Sequence, residues 1–153
     1  MATGHFITAK GAVALMNGDF DDNATWKVLL LSGAAAPAAL DTLAEVSNVN
    51  FVTDLLALTG VDECTGTGYA RKAITPGTIE ENDTSDRADL PVDAVLTYTA
   101  ADFGDVYAAV FFLDTGDDST ATVVSIDIFA TPITTNTGDF TYTMADVYRA
   151  TPA

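Results

Sequence analysis

Nucleophilic and acid–base chemistry needs particular groups brought together, and this chain offers few of them. It carries one histidine, His5, and one cysteine, Cys64. A serine or cysteine triad would have to use His5 as its base, yet His5 falls in an N-terminal segment expected to be mobile. Cys64 cannot close an intrachain disulfide, and one cysteine beside one histidine cannot complete a Cys/His zinc cluster. Carboxylates are plentiful, at 22, so a pair at the separation used in glycoside hydrolysis arises by chance and carries no signal. The single Trp26 lies in an apolar run and reads as core, where a sugar subsite would want an exposed aromatic platform. No catalytic residue is assigned, and neither an enzymatic activity nor a cofactor is expected.

Binding chemistry has more candidates. Asp114-Thr-Gly-Asp117-Asp118 and Glu80-Glu-Asn-Asp-Thr-Ser-Asp86 are oxygen-rich stretches of the kind Ca²⁺ favours, without the twelve-residue EF-hand spacing. The ordinary reading is stronger: Asp and Asn cap their own backbone in turns, and Gly beside Asp reverses a hairpin. Gly66-Thr-Gly-Tyr69 resembles a phosphate loop only superficially, because no helix with a lysine follows it. Arg71-Lys72 is the one adjacent basic pair. Its favoured role is internal pairing with the abundant aspartates; the alternative is contact with an acidic neighbouring surface, for which Arg71 is the better bidentate donor. Phe103, in a Gly/Asp turn, and Tyr148 are aromatics that could anchor a protein interface, with core packing as the default. Phe6 completes the interface candidates.

These residues must be positioned by a fold that composition makes mainly β. The acids are 18 Asp against 4 Glu, and Thr (23) and Ala (25) dominate, where helix surfaces would prefer Glu and Lys. With 153 residues one domain is expected. In His5 to Gly18, the spacing of Phe6, Ala9, Val13 and Met16 predicts a helix with that stripe buried and Asn17-Gly18 ending it. Trp26-Lys-Val-Leu-Leu-Leu-Ser reads as a buried strand closed by Gly33. Residues 34–59 are read as a mostly irregular, Ala- and Leu-rich insertion, with a short helix or an excursion over the core as options around Leu40 to Val46. The β core is placed at 66–145. There Tyr69 to Thr75, Thr78 to Asp86, the stretch around Val95 to Thr99, Val106 to Leu113 as the central strand, Thr122 to Ala130, and Phe140 to Met144 follow one another between polar turns. Pro132 should bar its strand from continuing in a central position. The expected architecture is all-β, a β-sandwich or small barrel-like domain of six or more short strands with one short N-terminal helix.

Charge narrows the partners. Six basic residues against 22 acidic, a net −16, leave no footprint from which to release counterions, so nucleic-acid binding is not expected. No apolar segment is long enough to span a membrane, and Met-Ala-Thr-Gly-His-Phe lacks the basic and apolar regions of a secretory signal, which points to synthesis in the cytoplasm.

Several motifs together carry a resemblance. They are a short helix ending in Asn17-Gly18, the strand Trp26-Lys-Val-Leu-Leu-Leu, Gly66-Thr-Gly-Tyr69-Ala-Arg71, Ala101-Asp-Phe103 ahead of Tyr107-Ala-Ala-Val-Phe-Phe-Leu-Asp-Thr-Gly, and Ile126-Asp-Ile-Phe before a Thr-rich hairpin. Over roughly residues 5–145 this order resembles small structural proteins of tailed bacteriophages and related archaeal viruses, of the head decoration (cement) or minor tail type. The resemblance implies a virion component on the outer capsid surface, made in the host cytoplasm, with the major capsid protein as partner and a small homo-oligomer, a trimer, as its form. A tail or neck component is the alternative it leaves open. From another class, a carbohydrate-binding β-sandwich would need exposed aromatic platforms and a signal peptide. The resemblance transfers no individual functional residue.

Overall fold

A computed structural model describes residues 4–17, 25–40, 48–75, 80–82 and 87–150. The chain forms β1 (Gly4–Ile7), α1 (Ala9–Asn17), β2 (Trp26–Ser32), a 3₁₀ turn (Ala38–Leu40), α2 (Val52–Leu56), β3 (Asp62–Glu63), β4 (Lys72–Ile74), β5 (Glu80–Asn82), β6 (Arg87–Ala101), β7 (Asp105–Leu113), β8 (Thr122–Thr134) and β9 (Gly138–Ala150). Two antiparallel sheets result: a main sheet ordered β1-β8-β7-β2-β3, with β4 also paired to β2, and a second ordered β5-β6-β9. The expected all-β, sandwich-like architecture is what forms.

The apolar runs explain the layering. In β2 and β7 both faces are buried, so neither strand needs a polar face. Trp26, Val28 and Leu30 of β2, with Ala109 and Phe111 of β7, pack against Leu96, Tyr98 and Ala101 of β6 and Phe140 of β9. The intervening Leu29 and Leu31, with Val110 and Phe112, face the other way onto Leu40, Val49, Val52, Leu55 and Val61. The stretch read as a mostly irregular insertion is therefore, in its described parts, the second cover of the main sheet. Its option of a helix around Leu40 to Val46 lies largely outside the described residues. Val106 to Leu113 is central, as expected, between β8 and β2.

Two expectations need correction. The helix does not begin at His5: residues 4–7 form β1, paired with β8, and His5 lies opposite Asp127 in an ordered ladder, not in a mobile segment. Thr8 caps α1, accepting the Gly11 N–H at 2.8 Å while its own hydroxyl donates to the Val123 carbonyl of β8. This clamp turns Gly11 and Ala14 inward and leaves Val13 49% and Met16 79% exposed, the reverse of the expected stripe. The cause is Gly11: a Cβ there would stand 2.5 Å from the Val124 carbonyl oxygen, so only glycine lets the helix sit this close. The expectation for Pro132 holds: β8 runs on to Thr134, but β1 reaches only to Ile128, so beyond it β8 pairs with β7 alone, as an edge, across a ladder that is irregular between Val106 and Ala108.

Among the described residues the sheets are tied by polar contact as well as by apolar packing. Tyr142 on β9 donates its hydroxyl to Asp127 Oδ2 on β8 at 2.6 Å. Burial, followed by the Asp127 charge, pushes the Tyr142 phenol above its usual range. Tyr142→Phe should lower stability by about 1 kcal/mol, the value of one such bond in a half-buried setting. Urea denaturation reads this directly, and an unchanged midpoint would mean the bond does not hold the sheets together.

Candidate functional site

Of the sequence candidates, the Gly66-Thr-Gly-Tyr69 motif and Arg71 meet beside β2. There β3 pairs with Leu31 and Ser32, and β4 pairs with Trp26 to Val28, leaving a gap between them. Leu30 falls in that gap, and its buried backbone groups need partners. Its carbonyl accepts the Cys64 N–H at 2.9 Å, and its N–H donates to the hydroxyl of Tyr69 at 3.2 Å. A phenol thus stands where a neighbouring strand's carbonyl would be. Tyr69 in turn donates to Glu63 Oε1 at 2.6 Å.

Tyr69 is delivered by Gly66-Thr-Gly68, and the glycines have steric reasons. Thr67 bridges to Asp102, whose N–H donates to the Thr67 carbonyl at 3.0 Å. The loop thereby lies on the β6–β7 connection so closely that a Cβ on Gly66 would stand 2.6 Å from the Asp102 carbonyl oxygen, and one on Gly68 2.4 Å from that of Thr99. The motif is a seat for a backbone crossing, not an anion cradle.

Arg71 completes the arrangement. Its Nε donates to Glu63 Oε1 at 2.8 Å and its Nη2 to Glu63 Oε2 at 2.7 Å. The other side of the fork takes Asp118, with Nη2 to Oδ2 at 2.8 Å and Nη1 to Oδ1. The guanidinium also stands 5.3 Å from the Phe112 ring centroid. Bonds to Glu63 and then Asp118 drive the Arg71 pKa further up, and the same guanidinium holds the Asp118 carboxyl below its usual range. The favoured sequence role of Arg71, internal charge pairing, is the one realised, which leaves it no free fork for an outside surface. Lys72 sits with its ammonium 5.1 Å from the Tyr98 ring centroid.

The calcium candidates are drawn apart by these partners. Asp114 binds Lys27 at 2.7 Å, Asp118 binds Arg71, and Asp117 accepts from the Ser119 N–H at 2.8 Å and its hydroxyl at 2.7 Å. The Asp117 bonds are an Asx turn, and they lower its pKa. Among the described residues no three His, Cys, Asp or Glu side chains are grouped to hold a metal. Of the second calcium candidate, 80–82 is strand β5 and 83–86 lies outside the described residues.

The aromatic candidates divide. Phe103 is buried, contrary to its place as an interface anchor: it meets Tyr69, Tyr98 and Phe140 edge-on at 5.5, 5.7 and 6.0 Å between centroids. The turn that looked exposed folds its ring under the second sheet. Phe6 on β1 is half-buried against the Leu29 side of the core. The Tyr148 backbone pairs with Leu90 in the β6–β9 ladder, and its side chain lies outside the described set. Cys64 is fully buried and, through burial and then the Glu63 charge, its thiol pKa is pushed up to about 12, which keeps it protonated at neutral pH. Sequence reasoning missed Glu63 and the role of the Tyr69 hydroxyl; the only available signal was the Gly-x-Gly-Tyr-x-Arg spacing itself.

No described helix is long and apolar enough to cross a membrane. Comparison with protein-family models, with curated proteins and with solved structures found no match.

Proposed function

We propose that this chain is a non-enzymatic virion protein that decorates the outer surface of a viral head, binding the major capsid protein as a homo-oligomer, a trimer, and clamping neighbouring capsomers. The observation carrying this reading is the use made of the motif that resembles virion proteins. Tyr69 and Arg71 of Gly66-Thr-Gly-Tyr-Ala-Arg are bonded to Leu30, Glu63 and Asp118 inside the fold, so the motif serves the architecture of the domain. A decoration protein acts through the surface it covers, stabilising assembled over disassembled shells by mass action. The net charge of −16 favours the outside of the shell, away from packaged nucleic acid.

Heads lacking this protein should assemble but release their genome at lower temperature than complete heads. Even about 1–2 kcal/mol per copy, the size of one good interface contact, shifts a cooperative disassembly strongly when many copies act. Thermal release of DNA from complete, depleted and re-supplemented heads measures it. Depleted heads of equal stability that lack tails or fail to adsorb would replace this reading with the tail or neck component.

A further inference from the structure

We propose that the outward face of α1, formed by Ala9, Val13 and Met16, is the surface through which copies of this chain associate with one another. It supplies the contact for the homo-oligomer named above and rests on that part of the reading alone.

At about 100° per residue, positions 9, 13 and 16 fall within an arc of about 60°. All three are exposed, Val13 and Met16 as two of the four large apolar side chains so exposed among the described residues. This exposure is built in. The opposite side of α1 is fixed by Thr8, which bonds both to the helix and to β8, and by Gly11, which touches the Val124 backbone. The helix therefore cannot roll to bury its apolar stripe, and Met16 and Val13 stay in water until something covers them.

Charge identifies the occupant. Two copies of a chain with net −16 repel one another wherever carboxylates face carboxylates. Every one of the 22 acidic residues lies beyond Gly18, and the only charged side chain on α1 is Lys10, which sits at the flank with its ammonium 4.6 Å from the Phe51 ring centroid. Among the described residues α1 itself thus presents apolar area and carries no carboxylate, which is what self-association of an acidic protein requires. An external basic partner would instead be drawn to the acidic remainder of the surface. Small Ala9 beside long Met16 also lets equivalent helices approach closely, with each Met16 free to lie over a neighbour's Ala9.

Sedimentation equilibrium of the purified full chain, from about 1 to 100 μM where weak subunit contacts are populated, tests this. The wild type should associate with rising concentration, and more strongly at high salt, where repulsion is screened. Met16→Ser, which removes apolar area without adding charge, and Val13→Glu should each weaken association at least about tenfold, while Val95→Glu, at a position 63% exposed on β6, should leave it unchanged. Circular dichroism of each variant establishes that the fold is retained. A wild type that stays monomeric over the whole range, or a Met16→Ser variant that associates as the wild type does, overturns the proposal. Because no capsid is present, either failure is separate from a failure of the decoration role.

Discussion

Gly68→Ala should destabilise the domain by about 2–4 kcal/mol, combining the cost of a left-handed alanine with that of forcing an atom into a packed crossing. Gly68 has φ +79°, and the new Cβ would lie 2.4 Å from the Thr99 carbonyl oxygen and 3.0 Å from that of Ala100, both backbone atoms that cannot turn aside. For a domain of this size the midpoint of thermal unfolding should fall by roughly 4–16 °C. Gly104→Ala is the internal control. Gly104 has nearly the same φ, +80°, with nothing within 4 Å of the place an alanine methyl would take, so it should show the conformational cost alone, about 1–2 kcal/mol. Equal losses for the two variants would show that the close approach of the Gly66–Gly68 loop to β6 contributes nothing.

The second large effect concerns the ion-pair cluster. Arg71→Ala removes the one cation that both Glu63 and Asp118 contact, leaving two carboxylates facing each other across the space of the guanidinium. Breaking a fully buried pair in this way costs about 3–5 kcal/mol. Here the side chains of Arg71 and Glu63 are 24% and 19% exposed and that of Asp118 36%, so water screens part of the loss and about 2–3 kcal/mol is expected. Arg71→Lys should recover only a fraction, because a point charge cannot serve two carboxylates with a fork. The Asp118 share depends on pH in a defined sense. Its folded-state pKa is held below the ordinary 3.8, so its stabilisation is full above that value and fades as pH falls through the depressed one. The gap between wild type and Arg71→Ala, read by urea denaturation, should therefore narrow below about pH 4. A gap that is constant down to pH 2 would remove Asp118 from the account.

How far these features were legible in advance depended on whether they were local. Trp26 to Ser32 and Val106 to Leu113 declared themselves as buried strands because unbroken apolar, β-branched and aromatic runs of that length have few other uses. Phe140 and Thr141 declared their faces by alternation. The α1 stripe failed for a physical reason: periodicity reveals that two sides of a helix differ, while which side is buried depends on a close approach, and Gly11 against Val124 is invisible to a hydrophobicity pattern. Pairing of Arg71 with acids was legible from charge balance. Its particular partners were not, since Glu63 and Asp118 lie 8 and 47 positions away in sequence. Least legible was Tyr69, whose hydroxyl fills a gap between β3 and β4 that exists only once the main sheet has formed.

The strand order of that main sheet bears on how the chain reaches its native state. Lys27 pairs with Phe112 and Phe6 with Ile126, so each N-terminal strand finds its neighbour across most of the sequence. Loop-closure entropy is thus lost before these contacts are gained, which marks a slow folder. On the ribosome, β2 emerges long before β7: β3 and β4 reach one edge of it by residue 74, but the other edge of its Val-Leu-Leu-Leu run has no partner until β7 has been made. During that interval this segment is the principal aggregation hazard of the nascent chain. Synthesis under conditions that slow elongation past residue 32 should then increase the demand on chaperones far more than pauses after residue 134, by which point every strand of the main sheet is available.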